Sequence, residues 1–152
     1  MENTIRAATP WHLWVVGLVT LLWHAGGAFD YTMTQLRNME YLQTAADGAN
    51  VPLEVLLDYF TDWPVWADAA WAFGVWGAVA GSLLLLLRSR IALHAFYASV
   101  AGLVLTTVHT LTSDLPEALN SASIWVFSAI VVIVLLAVIF YSKRMIAAGV
   151  LR

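Results

Sequence analysis

Four long apolar runs, broken by polar connections, set the pattern of the chain. The first covers Trp11 to Phe29, the second Pro64 to Leu87, the third Ile91 to Leu111 and the fourth Ile124 to Tyr141. Crossing a hydrocarbon core about 30 Å thick takes about 20 mostly apolar residues, and each run is close to that length. A helix satisfies its own backbone in lipid whereas an open sheet does not, so the runs predict helices. The expected fold is all-α, an integral-membrane four-helix bundle. One transmembrane domain covers residues 1–152, with spans near 11–30, 64–87, 91–112 and 122–142 and an outer loop over 31–63.

Lys and Arg mark the cytoplasmic side of a membrane protein. Arg88-Ser89-Arg90 form the turn between the second and third spans, Lys143, Arg144 and Arg152 lie at the end of the chain, and Arg6 precedes the first span. The other two connections hold Arg37 against Glu40, Asp47, Glu54, Asp58, Asp62, Asp114 and Glu117. This predicts both termini in the cytoplasm and acidic loops outside, as an even number of spans requires. The first span has the length of a secretory signal and small residues at Ala25-Gly26-Gly27, but a single preceding Arg and several Trp residues argue for a retained helix. Trp11, Trp14, Trp63, Trp66, Trp125 and Tyr141 fall near span ends, where amphipathic rings favour the headgroup zone.

Within the loop, YTMTQLRNMEYLQ has no Gly or Pro and is expected to continue the first helix beyond the membrane, until Gly48 and Asn50 break it. Pro52 then opens a second pattern. Leu53, Leu56, Leu57 and Phe60 recur at helical spacing against Glu54 and Asp58, which predicts a short amphipathic helix on the outer surface. Asp62 is placed to cap the second span, with Pro64 in the first turn.

Composition agrees with a bilayer. Of 152 residues, 61% are hydrophobic and 11% charged, against about 45–50% and about 25% in soluble domains. A net charge of −3 offers no basic face for nucleic acid. With no cysteine, disulfides, thiolate metal sites and redox dithiols are excluded.

Ionisable residues inside spans are functional candidates by default. Asp30, Asp68 and His109 fall in one layer at the outer side, and His24 is placed about 9 Å deeper than Asp30. His12 and His94 fall near the cytoplasmic ends. Asp30 has two readings: a ligand or proton site facing Asp68, His24 or His109, or a hydrated helix-end carboxylate holding the loop through Arg37. Trp23, Asp30 and Arg37 recur every seven residues and share one stripe if the first helix continues outward. Asp68 is either a counter-charge in a cavity or a favourable first-turn acid. Ala70, Gly74, Gly77 and Gly81 form a small-residue face for close helix packing. Asp68, Trp71, Ala72, Val75 and Ser82 make up a second face with polar content.

His24 and His109 raise axial haem ligation as a cofactor alternative; otherwise neither metal nor cofactor is expected. No nucleophile elbow, phosphate loop or metalloprotease motif is present, so no catalytic chemistry is expected either.

Two stretches, WHAGGAFDYTMTQLRN at 23–38 and WPVWADAAWAFGVWGAVAGSLLLLLR at 63–88, resemble a family of small bacterial four-span membrane proteins whose members usually carry the label "sugar transporter" or "hypothetical protein". The resemblance covers the first two-thirds of the chain and is most specific at Gly27 to Gln35. It implies a four-helix inner-membrane fold and supplies no catalytic residues; Asn tends to stand in that family where this chain has His24. The combined expectation is an accessory or binding protein of the bacterial inner membrane. It would act through its Gly/Ala face and acidic outer loop, as a homo-oligomer or within a larger membrane complex. A homo-oligomeric small-solute carrier with a polar outer site is the alternative, and a haem-binding protein a further one.

Overall fold

The structure, a computed structural model, describes residues 8–152; Arg6 lies outside the described residues. The helices are α1 (Trp11–Gln35), α2 (Met39–Ala49), α3 (Leu53–Thr61), α4 (Val65–Leu86), α5 (Ile91–Thr112) and α6 (Ala122–Ala147), with a 3₁₀ turn at Glu117–Leu119. Among them α1, α4, α5 and α6 are long and apolar enough to cross a membrane. Helices α2 and α3 sit at one end of these four, the cap end. The α4–α5 turn and the final residues meet at the other, the terminal end.

Helix ends follow from local chemistry. Asn38 accepts from the Tyr41 amide as N-cap of α2, and Ser121 does the same for the Ile124 amide at α6. Helix α1 closes in a Schellman motif, with Asn38 N–H donating to Met33 O and Arg37 N–H to Thr34 O. The left-handed position of that motif is Arg37 (φ 50°), and Arg88 (φ 58°) repeats it after α4, where Gly is the usual occupant.

This corrects one expectation. The first helix does not run on through residues 31–43 but stops at Gln35, and α2 starts afresh at Met39. Arg37 therefore leaves the stripe of Trp23 and Asp30. No Gly or Pro signals the break, because an arginine takes the left-handed turn. The 3₁₀ turn between α5 and α6 had no sequence signal either.

Packing centres on α4. Its Gly face lies against α5, where backbones come so close that a Cβ on Gly77 would sit 3.1 Å from Ala95 O and Ser99 N. A Cβ on Gly102 would strike the Ala70 carbonyl oxygen. Ser99 Oγ crosses the seam to donate to Gly74 O at 2.6 Å. Close van der Waals approach is what holds helices together where lipid removes the hydrophobic drive. The opposite face of α4 meets α1: Gln35 Nε2 donates to Asp68, Tyr31 packs edge-on to Trp71, Val75 faces Gly27, and Ser82 bonds His24. Helix α1 answers with a line of mostly small residues, Gly17, Thr20 and Ala28, with the His24 imidazole among them, all buried.

Helix α6 is peripheral. Its buried residues, Leu135, Val138, Ile139 and Ser142, all lie in the half toward the terminal end. There Val138 and Leu135 join Leu13, Leu85 and Phe96 in the core, together with Val150 and Leu151 from the chain's last residues.

Candidate functional site

Polar side chains gather at two levels. The deeper is a closed set between α1 and α4. His24 Nδ1 and Ser82 Oγ are 2.8 Å apart, Ser82 Oγ donates to Thr20 Oγ1 at 3.4 Å, and Thr20 donates to Val16 O at 2.8 Å. All three side chains are buried. The donor chain closes with the Nδ1 proton on His24, an assignment from the network. In a dry interior an unpaired polar group is costly, so His24, Ser82 and Thr20 serve one another.

His109 is elsewhere. The His24 ring lies 6.1 Å from Phe96, and His109 is thirteen residues beyond Phe96 on α5, or about 20 Å along the axis. The two imidazoles therefore cannot hold one iron between them. His109 instead stands nearly perpendicular to both Trp63 and Trp66, with centroids at 4.9 and 5.4 Å.

The second level is the cap end, where the acids separate. Asp30 Oδ1 accepts from the Tyr41 hydroxyl at 2.8 Å, not from Arg37. Burial first, and then this bond and the Asp30 charge, push the Tyr41 phenol up to about 12. Asp68 instead accepts from Gln35 at 3.2 Å and shares a cavity of about 110 Å³ with Arg37. Leu56, Leu57 and Phe60 of α3 line that cavity, so the apolar face of α3 turns toward α1, α2 and α4. Asp30, Asp68 and His109 thus share a layer without forming one cluster.

Ala70, Gly74, Gly77 and Gly81 are brought together against α5: a Cβ on Gly81 would meet the Phe96 ring at 2.5 Å. That face is covered within the chain and is not free to dock on another protein.

Sequence reasoning missed a cavity of about 430 Å³ between α3, the α3–α4 link and the end of α5 with the segment after it, whose wall includes Asp58, Tyr59, Asp62, Trp63, His109 and Asp114. The i, i+4 pairs Asp58/Asp62 and Tyr59/Trp63 were a usable signal. Trp63, at a span end, packs on Phe60 and Trp71 at 5.5 Å. No family model, curated protein or solved structure matches this chain.

Proposed function

We propose that the chain is a non-catalytic, multi-pass membrane protein that acts by binding, as an accessory subunit presenting its cap end to a partner. The observation that carries this is the distribution of polar chemistry. The deep polar set of His24, Ser82 and Thr20 is closed on itself, while both cavities described above lie at the cap end. A carrier puts its solute site near the midplane. The Gly face of α4 is covered by α5, so a partner would meet the acidic cap together with apolar side chains such as Val126, Phe127, Ile130 and Ile133 on the half of α6 toward it, which are exposed, as are others on α1, α4 and α5.

Charge supports an orientation with both termini in the cytoplasm of a bacterial inner membrane. Every Asp and Glu among the described residues belongs to the cap half, whereas Arg88, Arg90, Lys143, Arg144 and Arg152 lie at the terminal end. A second reading, a homo-oligomeric small-solute carrier, draws on the larger cap-end cavity as an entry site.

Native-detergent purification with in-membrane crosslinking separates the two. Crosslinks from the cap or from Phe127 to a different membrane protein support the accessory role. A self-dimer alone, with solute uptake in proteoliposomes, overturns it. A reporter active only outside the cytoplasm, silent on either terminus, supports the orientation.

A further inference from the structure

The charged side chains lining the larger cap-end cavity are all acidic. Asp30, Asp47 and Asp68 accept from Tyr41, Gln43 and Gln35; Asp58, Asp62 and Asp114 receive no side-chain donor among the described residues. All three line the cavity, and no Lys or Arg does. Its hydroxyl donors are already engaged: Ser113 Oγ donates to His109 O at 2.8 Å and Tyr59 to Thr110 Oγ1 at 3.4 Å. What remains toward the space is negative charge, the rings of Tyr59, Trp63 and His109, and the apolar Val55 and Pro116.

The rings form a corner. Trp63 stands nearly perpendicular to Tyr59 (5.8 Å, 80°) and to His109 (4.9 Å, 81°). The Trp63 indole nitrogen is buried without a hydrogen-bond partner among the described residues, so ring packing holds this side chain. An aromatic face attracts a cation within about 6 Å of its centroid. The volume of about 430 Å³ falls within the range of about 300–1,000 Å³ of small-molecule sites. The three carboxylates could accept from sugar hydroxyls, but a neutral sugar leaves their negative charge uncompensated, so glucose is the competing ligand the test must separate. A metal ion needs convergent ligands, and no group of three His, Cys, Asp or Glu side chains able to hold one occurs among the described residues. A diffuse organic cation satisfies both the rings and the carboxylates.

We propose that this cavity binds a quaternary ammonium group through the rings of Trp63 and Tyr59, with Asp58, Asp62 and Asp114 as counter-charges. The group belongs either to a free solute or to a choline lipid headgroup. This stands whether or not the chain docks on a larger complex.

The test is calorimetric titration of the purified protein in maltoside micelles with tetramethylammonium and choline chlorides at constant ionic strength, with ethanolamine and glucose as comparisons. Saturable binding of both quaternary ions, tighter than ethanolamine, is expected. Asp58→Asn, Asp62→Asn and Asp114→Asn, all at exposed positions, should each weaken it by about 3-fold or more, and Trp63→Leu by about 5-fold or more. Should the Trp63 variant fail to fold, Tyr59→Leu carries the same expectation. Nanodiscs with and without phosphatidylcholine then assign the source. Loss of choline binding in phosphatidylcholine discs identifies the lipid headgroup, and retained binding identifies a free solute. Absence of saturable binding, a preference for ethanolamine or glucose, or full affinity in all the carboxylate variants overturns the proposal.

Discussion

The Tyr41 hydroxyl donates to Asp30 Oδ1 at 2.8 Å and so ties α2 to the end of α1. The same ring packs edge-on to Phe29 at 5.5 Å, so Tyr41→Phe keeps the packing and removes only the hydroxyl. A hydrogen bond to a charged group contributes about 1.5–3 kcal/mol. Partial exposure of Tyr41 lowers the expected cost to about 1 kcal/mol. Thermal melting in detergent checks this, and an unchanged midpoint would show that the bond does not hold the cap.

Alkaline pH should act on the same bond. The phenol ordinarily titrates near 10 and here is pushed up to about 12, so between those values the folded chain keeps a proton that the unfolded chain loses. The stabilisation is therefore whole below about pH 10 and fades as pH rises toward about 12. Wild type should lose stability relative to Tyr41→Phe across that window, and a difference tyrosinate titration of the two should show one late-titrating phenol. Parallel curves would refute the assignment.

The glycines of the α4–α5 seam give a sharper contrast. A Cβ on Gly102 would meet the Ala70 carbonyl and Gly74 N, both backbone, while a Cβ on Gly26 meets nothing within 4 Å. Gly102→Ala should cost about 1–3 kcal/mol by forcing two helices apart. Gly26→Ala, on an open helix face, should leave stability unchanged or raise it by up to about 1 kcal/mol. Equal melting points for the two variants would mean that the seam has slack.

What was legible in the sequence, and what was not, divides along physical lines. The four spans follow from composition, because lipid demands about 20 apolar residues per crossing. The two faces of α4 follow from helical spacing, and Asp68, Trp71, Val75 and Ser82 do meet α1. The cap resists such reading. Its geometry depends on Arg37 taking a conformation that Gly normally supplies, and nothing in the residue type announces it. Without that turn Asp30 pairs on paper with Arg37; with it, Tyr41 arrives first. The aromatic corner of Tyr59, Trp63 and His109 joins residues about fifty positions apart, a contact that periodicity within one helix cannot reveal.

The closed polar set predicts a modest effect for a buried group. Ser82 bonds both His24 and Thr20, yet hydrogen bonds between membrane helices average about 0.6 kcal/mol. Ser82→Ala should therefore cost about 1 kcal/mol. Ser128→Ala, which removes only a bond from an exposed side chain to its own helix at Ile124 O, should cost nothing measurable. A loss above about 3 kcal/mol for Ser82→Ala would show that the set does more than satisfy itself.

At the terminal end, the last residues act as a plug. Leu151 is fully buried against the core that contains Leu13, Leu85 and Phe96. Its carbonyl accepts from Arg90 Nε at 3.2 Å, while Arg152 N–H donates to Arg88 O at 2.9 Å and Arg90 N–H to Arg152 O at 3.2 Å. Main chain thus pairs with main chain across the α4–α5 turn, and one leucine fills the gap below. Leu151→Ala should cost about 2 kcal/mol or more, since truncating a buried leucine leaves a cavity. The exposed Arg152 side chain contributes none of these bonds, so Arg152→Ala should change little. The fully buried side chains of α6 all lie near this end, with Phe127 touching Trp23 in the other half, so loosening the plug should also raise protease access between α5 and α6. Melting and limited proteolysis of both variants decide the matter: equal behaviour of Leu151→Ala and wild type would mean that the tail rests on the bundle without securing it.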